Sequence, residues 1–142
     1  MSEDNKAVIR HFVQAVNTND RNAAAGAFAP DFVDHSPGPG QGQGLQGFLE
    51  FAGALMSAFH NMQITIDDLV AEGDKVVLRD TTRATHGGDF MGIPASGKPV
   101  SWTEMRLYRI KDGKIVEQWV EVDRAGLMQQ MQSIPQPEQS SR

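Results

Sequence analysis

The sequence predicts an α+β domain, in which helices fold over a curved antiparallel sheet and leave a pocket between them. Apolar residues in the first half recur at intervals of three and four, which is the period of an amphipathic helix. Apolar and polar residues in the second half alternate over four stretches, which is the period of a strand. Helices that precede the strands, instead of alternating with them, favour an α+β fold over a parallel α/β fold.

Three helices are predicted before the sheet. The first is capped by Ser2 or Asp4 and ends at the polar residues 17–20. The second is short and alanine-rich and is capped by Asp20. We expect it to end at Pro30, because the residue before a proline is forced out of the helical region. The apolar faces of the first and third helices are formed by Val8, Ile9, Phe12, Val13 and Val16, and by Leu45, Phe48, Leu49, Ala52, Leu55, Met56 and Phe59.

The sheet is predicted from four strands that follow one another along the chain. A short extended segment, residues 31–35, and a loop rich in glycine and proline, residues 36–44, separate the second helix from the third. Four strands are too few to close a barrel, so we expect the sheet to curl around the helices. The strands begin near Met62 and then cover residues 75–86, 100–110 and 115–123, and a short terminal helix follows near Leu127.

Length and composition limit the kinds of function that the chain can carry. Its 142 residues fit one domain, expected over residues 1–132 and followed by a flexible tail over residues 133–142. The chain has no cysteine and no close pair of histidines, so we expect no metal and no cofactor. A net charge of -5 with interleaved signs disfavours nucleic acid as a partner. A polar start and the lack of a long apolar run predict a cytoplasmic protein with no membrane partner.

The third and fourth strands carry an unusual number of charged residues beside tryptophan. Trp102, Glu104 and Arg106 share one face of the third strand, and Trp119 and Glu121 share one face of the fourth. Burying carboxylates is costly unless they are paired. These residues therefore either line a pocket as a functional group or lie on a solvated face or a dimer interface.

The turn between these two strands decides which charged side chains meet. A two-residue type I′ turn at residues 112–113 places Glu104 opposite Glu121. Two opposed carboxylates form a poised acid/base site if an arginine bridges them or if one stays protonated. A three-residue turn at residues 111–113 shifts the register by one, so that Glu104 and Arg106 face Gln118 and Val120 instead. The local sequence leaves both turns open.

Four further residues are candidates for chemistry. His35 is expected at the mouth of the curled sheet, where an imidazole suits a general base, and His86 ends the second strand in a similar place. Both histidines could instead lie in surface turns. Asp80 lies in the middle of a strand, as either a pocket group or the partner of an arginine. Asp123 stands where the last strand gives way to a helix, and capping that helix is its simplest role.

Five segments of the chain carry a family resemblance: FAPDFVDH (residues 28–35), VAEGDKVVLR (70–79), ATHGGDFMGIPASGKPV (84–100), YRIKDGKIVEQW (108–119) and DRAGL (123–127). In this order they resemble the SnoaL-like family of polyketide cyclases. The resemblance extends from Asn5 to about Gln130 and implies the NTF2-like cone fold of that family.

The resemblance also implies a reaction, a cofactor-free intramolecular aldol cyclisation in which a carboxylate acts as general acid and base on a polyketide ester. Asp123 matches the family's acidic residue near the end of the last strand in kind and position. His35 and His86 match recurrent positions that border the family's pocket. The chain departs from the family pattern where Gln118 replaces a common histidine and where Asp80 replaces a frequent aromatic residue.

We therefore predict a SnoaL-like general acid/base enzyme that acts on a small hydrophobic carbonyl compound, without a cofactor and as a homodimer. One alternative is an epoxide-hydrolase-like enzyme, in which a carboxylate/arginine cluster activates water. The other is a non-catalytic module that binds a small ligand or dimerises. The residues expected at the site are the catalytic His35 and Asp123 and the pocket residues His86, Trp102, Glu104, Arg106, Trp119 and Glu121.

Overall fold

The computed structural model describes residues 2–132, in which helices pack on one open sheet. The tail predicted for residues 133–142 lies outside the described residues. The helices are α1 (Ser2–Asn17), α2 (Arg21–Gly26), α3 (Gly44–Ala58) and α4 (Arg124–Gln132), and the strands are β1 (Phe28–Asp34), β2 (Phe59–Glu72), β3 (Lys75–His86), β4 (Pro99–Lys111) and β5 (Lys114–Val122).

The sheet has five strands in the order β1-β5-β4-β3-β2. Strands β2 to β5 form the predicted antiparallel meander. Strand β1 pairs in parallel with β5 at one edge, so the sheet is mixed. The α+β cone is confirmed, with a fifth strand where the sequence predicts only a short extended segment. The pairing was hidden because β1 joins a strand that is distant in sequence and because its buried and exposed residues do not alternate.

Pro30 lies inside β1, although the sequence predicts that it ends α2. The helix already ends at Gly26, and the strand begins at Phe28. A strand at the edge of a sheet tolerates proline, because the missing N–H need not donate to a neighbouring strand. Pro30 is therefore an edge-strand residue and not the end of the helix.

The hairpin between β4 and β5 combines features of the two turns that the sequence leaves open. Asp112 and Gly113 have φ angles of 52° and 75°, as a two-residue type I′ turn requires, and the flanking pair is Lys111 with Lys114. The register then shifts by one residue between Ile110 and the next pair along the strands. This β-bulge inserts one extra residue into β5, so the strands beyond it bring together the same faces as the longer turn would, although the residue pairs differ.

The register beyond the bulge decides the two faces of the sheet. Glu104 pairs with Val122 and Arg106 with Val120, whereas Glu121 pairs with Met105. Because paired residues share a face, Glu104 and Glu121 lie on opposite faces of the sheet. The bulge thus separates the two carboxylates that a regular two-residue hairpin would bring together.

The concave face of the sheet holds two apolar clusters, one toward each end of β3 and β4. The first cluster joins the sheet to α1, and Tyr108 belongs to it. The second joins the sheet to α4 and to the end of α3, and Trp102 belongs to it. The buried members of the first are Ile9, Phe12, Val13, Phe28, Phe32, Ile64, Val76, Leu78, Tyr108, Ile110 and Ile115, and those of the second are Ala58, Phe59, Ala84, Val100, Trp102, Leu127 and Met131.

Candidate active site

A polar layer separates the two apolar clusters on the concave face. On β3 it consists of Asp80 and Thr82, which follow Leu78 of the first cluster and precede Ala84 of the second. On β4 the corresponding positions between Trp102 and Tyr108 are occupied by Glu104 and Arg106. Asp80 and Glu104 are directly paired across the two strands. The alternation of each strand and the β3–β4 register therefore bring two carboxylates and a guanidinium together inside the fold.

These three side chains form the carboxylate–arginine cluster, defined here as Asp80, Glu104 and Arg106. The Nε atom of Arg106 lies 2.5 Å from Oε1 of Glu104 and 3.2 Å from Oδ2 of Asp80. Asp80 is fully buried and Glu104 is 9% exposed, whereas 15% of the Arg106 side chain is exposed. The cluster is thus enclosed, with its remaining contact to solvent largely at the Arg106 side chain.

Three neutral groups hold the cluster in place. The hydroxyl of Thr82 donates a hydrogen bond of 2.8 Å to Oδ1 of Asp80, and the indole N–H of Trp102 donates one of 2.5 Å to Oε2 of Glu104. Arg106 donates from Nη1 to the hydroxyl of Tyr108 over 3.1 Å. In contrast, neither Oδ2 of Asp80 nor Nε of Arg106 has a well-aligned hydrogen bond within the described part of the chain. Oδ2 is the carboxylate oxygen of the cluster that is left open for a proton.

Burial and neighbouring charges make Asp80 an unusual carboxyl group. Burial raises the pKa of Asp80 to about 6, Arg106 opposes that rise, and the negative charge of Glu104 adds to it. Burial also works against the charge of Arg106, but Glu104, Tyr108 and Asp80 hold its pKa above the usual value. Asp80 can therefore gain and lose a proton near neutral pH beside a cation that stays charged, and this suits a general acid or base.

The structure places Trp102, Glu104 and Arg106 together on the concave face, and His86 on the same face at the end of β3. His86 is fully buried and its ring stacks on Phe59 with centroids 5.5 Å apart. Its Nδ1 atom lies 2.9 Å from the hydroxyl oxygen of Ser96, whereas Nε2 has no hydrogen-bond partner among residues 2–132. His86 lies beyond the polar layer, on the side of the second apolar cluster. It makes no described contact with Arg106.

His35 and Trp119 form a separate group, away from the cluster. Their rings stack with centroids 4.5 Å apart, and Nε2 of His35 lies 2.7 Å from Oε2 of Glu117. Arg109 also binds Glu117, and its hydrogen bond, followed by that of His35, lowers the pKa of this carboxyl. Glu121 is exposed on the same convex face as Trp119.

Asp123 is exposed at the start of α4. Its Oδ1 accepts a hydrogen bond of 3.0 Å from the backbone N–H of Gly126, and its carbonyl oxygen accepts one from Leu127. These contacts are those of a helix N-cap. Asp123 lines a cavity of about 380 Å³ together with Glu104. No described side-chain contact joins His35 or Asp123, the two residues expected to be catalytic, to the cluster or to each other.

Asp80 belongs to the cluster, and Thr82 and Tyr108 bind it, although none of the three is among the expected site residues. The sequence marks Asp80 only as a pocket group or the partner of an arginine. Its neighbour on β4 is set by the β3–β4 register, which pairs Asp80 with Glu104, 24 residues further along the chain. Alternation along one strand gives the face of a residue, but only the register of two strands identifies its neighbour.

The fold and this site together define an NTF2-like α+β cone with a carboxylate–arginine cluster in its interior. The chain belongs to the family of SnoaL-like polyketide cyclases, whose family model matches residues 6–131. No functionally curated protein matches the sequence closely enough to count as a relative.

Solved structures of similar proteins support the same fold. AclR from Streptomyces galilaeus, named as a candidate hydroxylase, is 29% identical over 95% of this chain and 100% of its own, with a TM-score of 0.84. TsrD from Streptomyces laurentii is 30% identical over 93% of this chain and 97% of its own, with a TM-score of 0.81. IdmH from Streptomyces antibioticus, named as a candidate polyketide cyclase, is 31% identical over 91% of this chain and 99% of its own, with a TM-score of 0.79.

The described residues show neither a membrane-spanning helix nor a cluster of metal ligands. No helix within residues 2–132 has the length and apolar character needed to cross a membrane. The same residues contain no group of three or more His, Asp or Glu side chains arranged to hold a metal ion.

Proposed function

We propose that this protein is a cofactor-free general acid/base enzyme that acts on a small hydrophobic carbonyl compound, with Asp80 as the group that exchanges the proton. The observation that carries the proposal is a fully buried carboxyl whose pKa is raised to about 6, with one oxygen lacking a hydrogen bond and a fixed guanidinium beside it. Membership of the SnoaL-like family supports a polyketide-type ester as the substrate and an aldol cyclisation as the reaction.

The cyclisation needs one proton to leave and return. Ionised Asp80 takes a proton from the carbon next to a carbonyl group, and the electron pair moves to give an enolate. Arg106 carries more N–H groups than its contacts with Asp80, Glu104 and Tyr108 use, so a free N–H can stabilise the enolate oxygen. The enolate carbon then attacks a second carbonyl of the same molecule, and the resulting alkoxide takes the proton back from Asp80.

A cavity of about 470 Å³ is the proposed way in for the substrate. It lies between α3, the loop after β1 and the loop after β3, and it is lined by Leu55 and Phe90 among others. Both side chains also pack against the apolar cluster that contains Trp102. A flat apolar molecule seated there would contact Leu55 and Phe90, which connect the cavity to the apolar cluster of Trp102.

Water activation against an epoxide is a second candidate, because both carboxylates of the cluster contact the same guanidinium nitrogen. In that reaction one carboxylate takes a proton from water, the hydroxide attacks an epoxide carbon, and a protonated carboxyl group gives its proton to the opening oxygen. Two unequal carboxyl groups suit these two roles, since one must be ionised while the other holds a proton. The product distinguishes the two candidates, since hydration yields a diol and cyclisation yields a new ring.

The deciding experiment compares three variants on a panel of cyclisable β-keto esters and epoxides. We expect Asp80→Asn to lower kcat/KM by about 10²- to 10⁴-fold, the usual contribution of a general acid/base group. Asp123→Asn and His35→Ala, which change the two residues that the family resemblance marks as catalytic, should retain most of the activity. Loss of activity in Asp123→Asn with full activity in Asp80→Asn would move the proton transfer to Asp123. A wild-type protein that binds panel compounds without converting them would instead be a ligand-binding module.

We further propose a homodimer that pairs through the convex face of the sheet. Met105 is 49% exposed there, and its neighbours Leu107 and Trp119 are only half-buried. Apolar side chains clustered on an otherwise charged sheet face mark an interaction surface. Location in the cytoplasm remains a prediction of the sequence.

A further inference from the structure

The two oxygens of Glu104 contact nitrogen atoms of two different side chains. Oε1 lies against Nε of Arg106, and Oε2 accepts the indole N–H of Trp102, each over 2.5 Å. The indole itself is fixed by apolar packing, because Trp102 is 5% exposed and its ring meets Phe59 edge-on with centroids 5.2 Å apart. The second apolar cluster therefore dictates where the N–H points, independently of the polar layer.

This arrangement divides Arg106 unequally between the two carboxylates. With Oε2 anchored by Trp102, Oε1 of Glu104 lies 2.5 Å from Arg106 Nε, whereas Oδ2 of Asp80 lies 3.2 Å from the same atom. Nε has no well-aligned hydrogen bond to either carboxylate, and Oδ2 of Asp80 has none to any described group. Glu104 is thus the nearer counter-ion of Arg106, and Oδ2 of Asp80 is left without a donor.

We propose that Trp102 is a positioning residue, whose indole N–H locks Glu104 onto Arg106 and thereby leaves Oδ2 of Asp80 open to exchange protons. This inference deepens the proposed function and rests on it for the catalytic meaning of that exchange. It assigns Trp102 a role that apolar packing alone does not give, since phenylalanine could fill much of the same space without donating a hydrogen bond.

The charged and titratable groups that act on Asp80 lie on the two neighbouring strands, β4 and β2. Strand β4 presents Glu104, Arg106 and Tyr108, and β2 contributes only the more distant Asp67, which accepts a hydrogen bond from Thr81. Without the indole N–H, the carboxylate of Glu104 is free to turn away from Arg106. The repulsion from Glu104 then weakens and Arg106 becomes available to Asp80, so the pKa of Asp80 falls.

The test is a carbon-13 NMR titration of aspartate carboxyl groups, with the Asp80 signal assigned by its loss in Asp80→Asn. We expect the midpoint near 6 in the wild type to fall by about one pH unit in Trp102→Phe. Glu104→Gln should also lower it. Adding Trp102→Phe to Glu104→Gln should cause no further change, because the indole acts through that carboxylate.

Two outcomes would overturn the proposal: an unchanged midpoint in Trp102→Phe, or a further shift of the midpoint in the double variant. Phe59→Leu is the packing control, since it loosens the same apolar cluster but should leave the Asp80 midpoint in place. If Trp102→Phe does not fold, benzothienylalanine at position 102 keeps the shape of the ring and removes only the N–H. The titration needs no substrate, so a lowered midpoint in an inactive protein would reject the proposed function while supporting the role of Trp102.

Discussion

Asp80 is the residue on which the chemistry proposed for this fold depends. It is fully buried, and its hydrogen bond from Thr82 and ion pair with Arg106 do not fully offset the cost of removing its charge from water. Its pKa is therefore raised to about 6 from a usual value of 3.8. A carboxyl group kept in such a place destabilises the folded protein at neutral pH, which is a common feature of functional sites.

Because burying the charge of Asp80 destabilises the folded protein, protonating or replacing this carboxylate should raise stability. Because the folded protein binds the proton more tightly than the unfolded chain does, stability falls as the pH rises from about 4 to 6 and stays lowered above that range. The loss is on the order of 3 kcal/mol, at about 1.36 kcal/mol for each unit of pKa. Asp80→Asn should therefore unfold at higher urea than the wild type at pH 8, with the difference nearly gone at pH 4.

A control for this prediction is Gly53→Ala in α3, which adds a methyl group with nothing within 4 Å and changes no ionisable group. Its effect on the free energy of unfolding should be the same at both pH values. Equal stability of the wild type and Asp80→Asn at pH 8 would contradict the burial cost assigned to Asp80.

For individual residues, the sequence predicts the part of the site that lies on β4. Alternation along β4 correctly groups Trp102, Glu104 and Arg106 on one face, because side chains two residues apart on a strand point the same way. The central role of Asp80 could not be predicted from its own strand, where a lone carboxylate has several possible partners. Only the β3–β4 register, which places Glu104 opposite Asp80, identifies the partners of this carboxylate.

Among the elements, α3 is positioned by a contact between two glycines. Gly47, in the first turns of the helix, lies against the backbone of Gly42 in the preceding loop, and a Cβ atom at Gly47 would overlap that backbone. The loop is thus seated directly on the helix that covers the sheet. Only glycine permits so close an approach of two chain segments.

Alanine at two positions of α3 should have opposite effects. Gly47→Ala is expected to lower the free energy of unfolding by about 1–3 kcal/mol, because backbone atoms must move to admit the methyl group. Gly53→Ala lies in the same helix with nothing within 4 Å of its new Cβ, and should raise stability by about 0.5–1 kcal/mol. Urea denaturation of both variants measures the difference, and equal effects would show that the Gly42–Gly47 contact does not constrain the helix.

The β5 bulge shows where prediction of elements from sequence ends. The turn residues Asp112 and Gly113 correctly indicate a hairpin but leave its turn length open, and in the structure both adopt positive φ. The extra residue in the strand after the turn has no such local signature, since Ile115 and Val116 are both apolar and both buried. The packing of β5 against its neighbours, and not the turn, therefore sets the register beyond the bulge.

For the whole molecule, the two faces of the sheet have different partners. The concave face packs against the helices, whereas the convex face carries Met105, Leu107 and Trp119 among charged residues. The sequence predicts the α+β cone because the periods of three to four and of two persist over long segments. The parallel edge strand β1 is less evident, because its partner lies far along the chain.

The proposed homodimer makes the convex face testable. Met105→Glu should convert the dimer to a monomer in analytical ultracentrifugation, since it places a charge in the middle of the apolar patch. Met91→Glu is the control, because Met91 is similarly exposed, at 44%, but lies on the loop between β3 and β4. A monomeric wild type, or a dimer that both variants leave intact, would argue against pairing through this face.

The central claim is that Asp80, inside the cone, is the carboxyl group poised to exchange a proton near neutral pH. The most direct measurement is the titration of its carboxyl carbon in the wild-type protein by carbon-13 NMR. The structure predicts a midpoint near pH 6, because burial and Glu104 together outweigh the attraction of Arg106 and the hydrogen bond from Thr82. A midpoint near the usual value of 3.8 would contradict the claim, since Asp80 would then remain ionised throughout the neutral range.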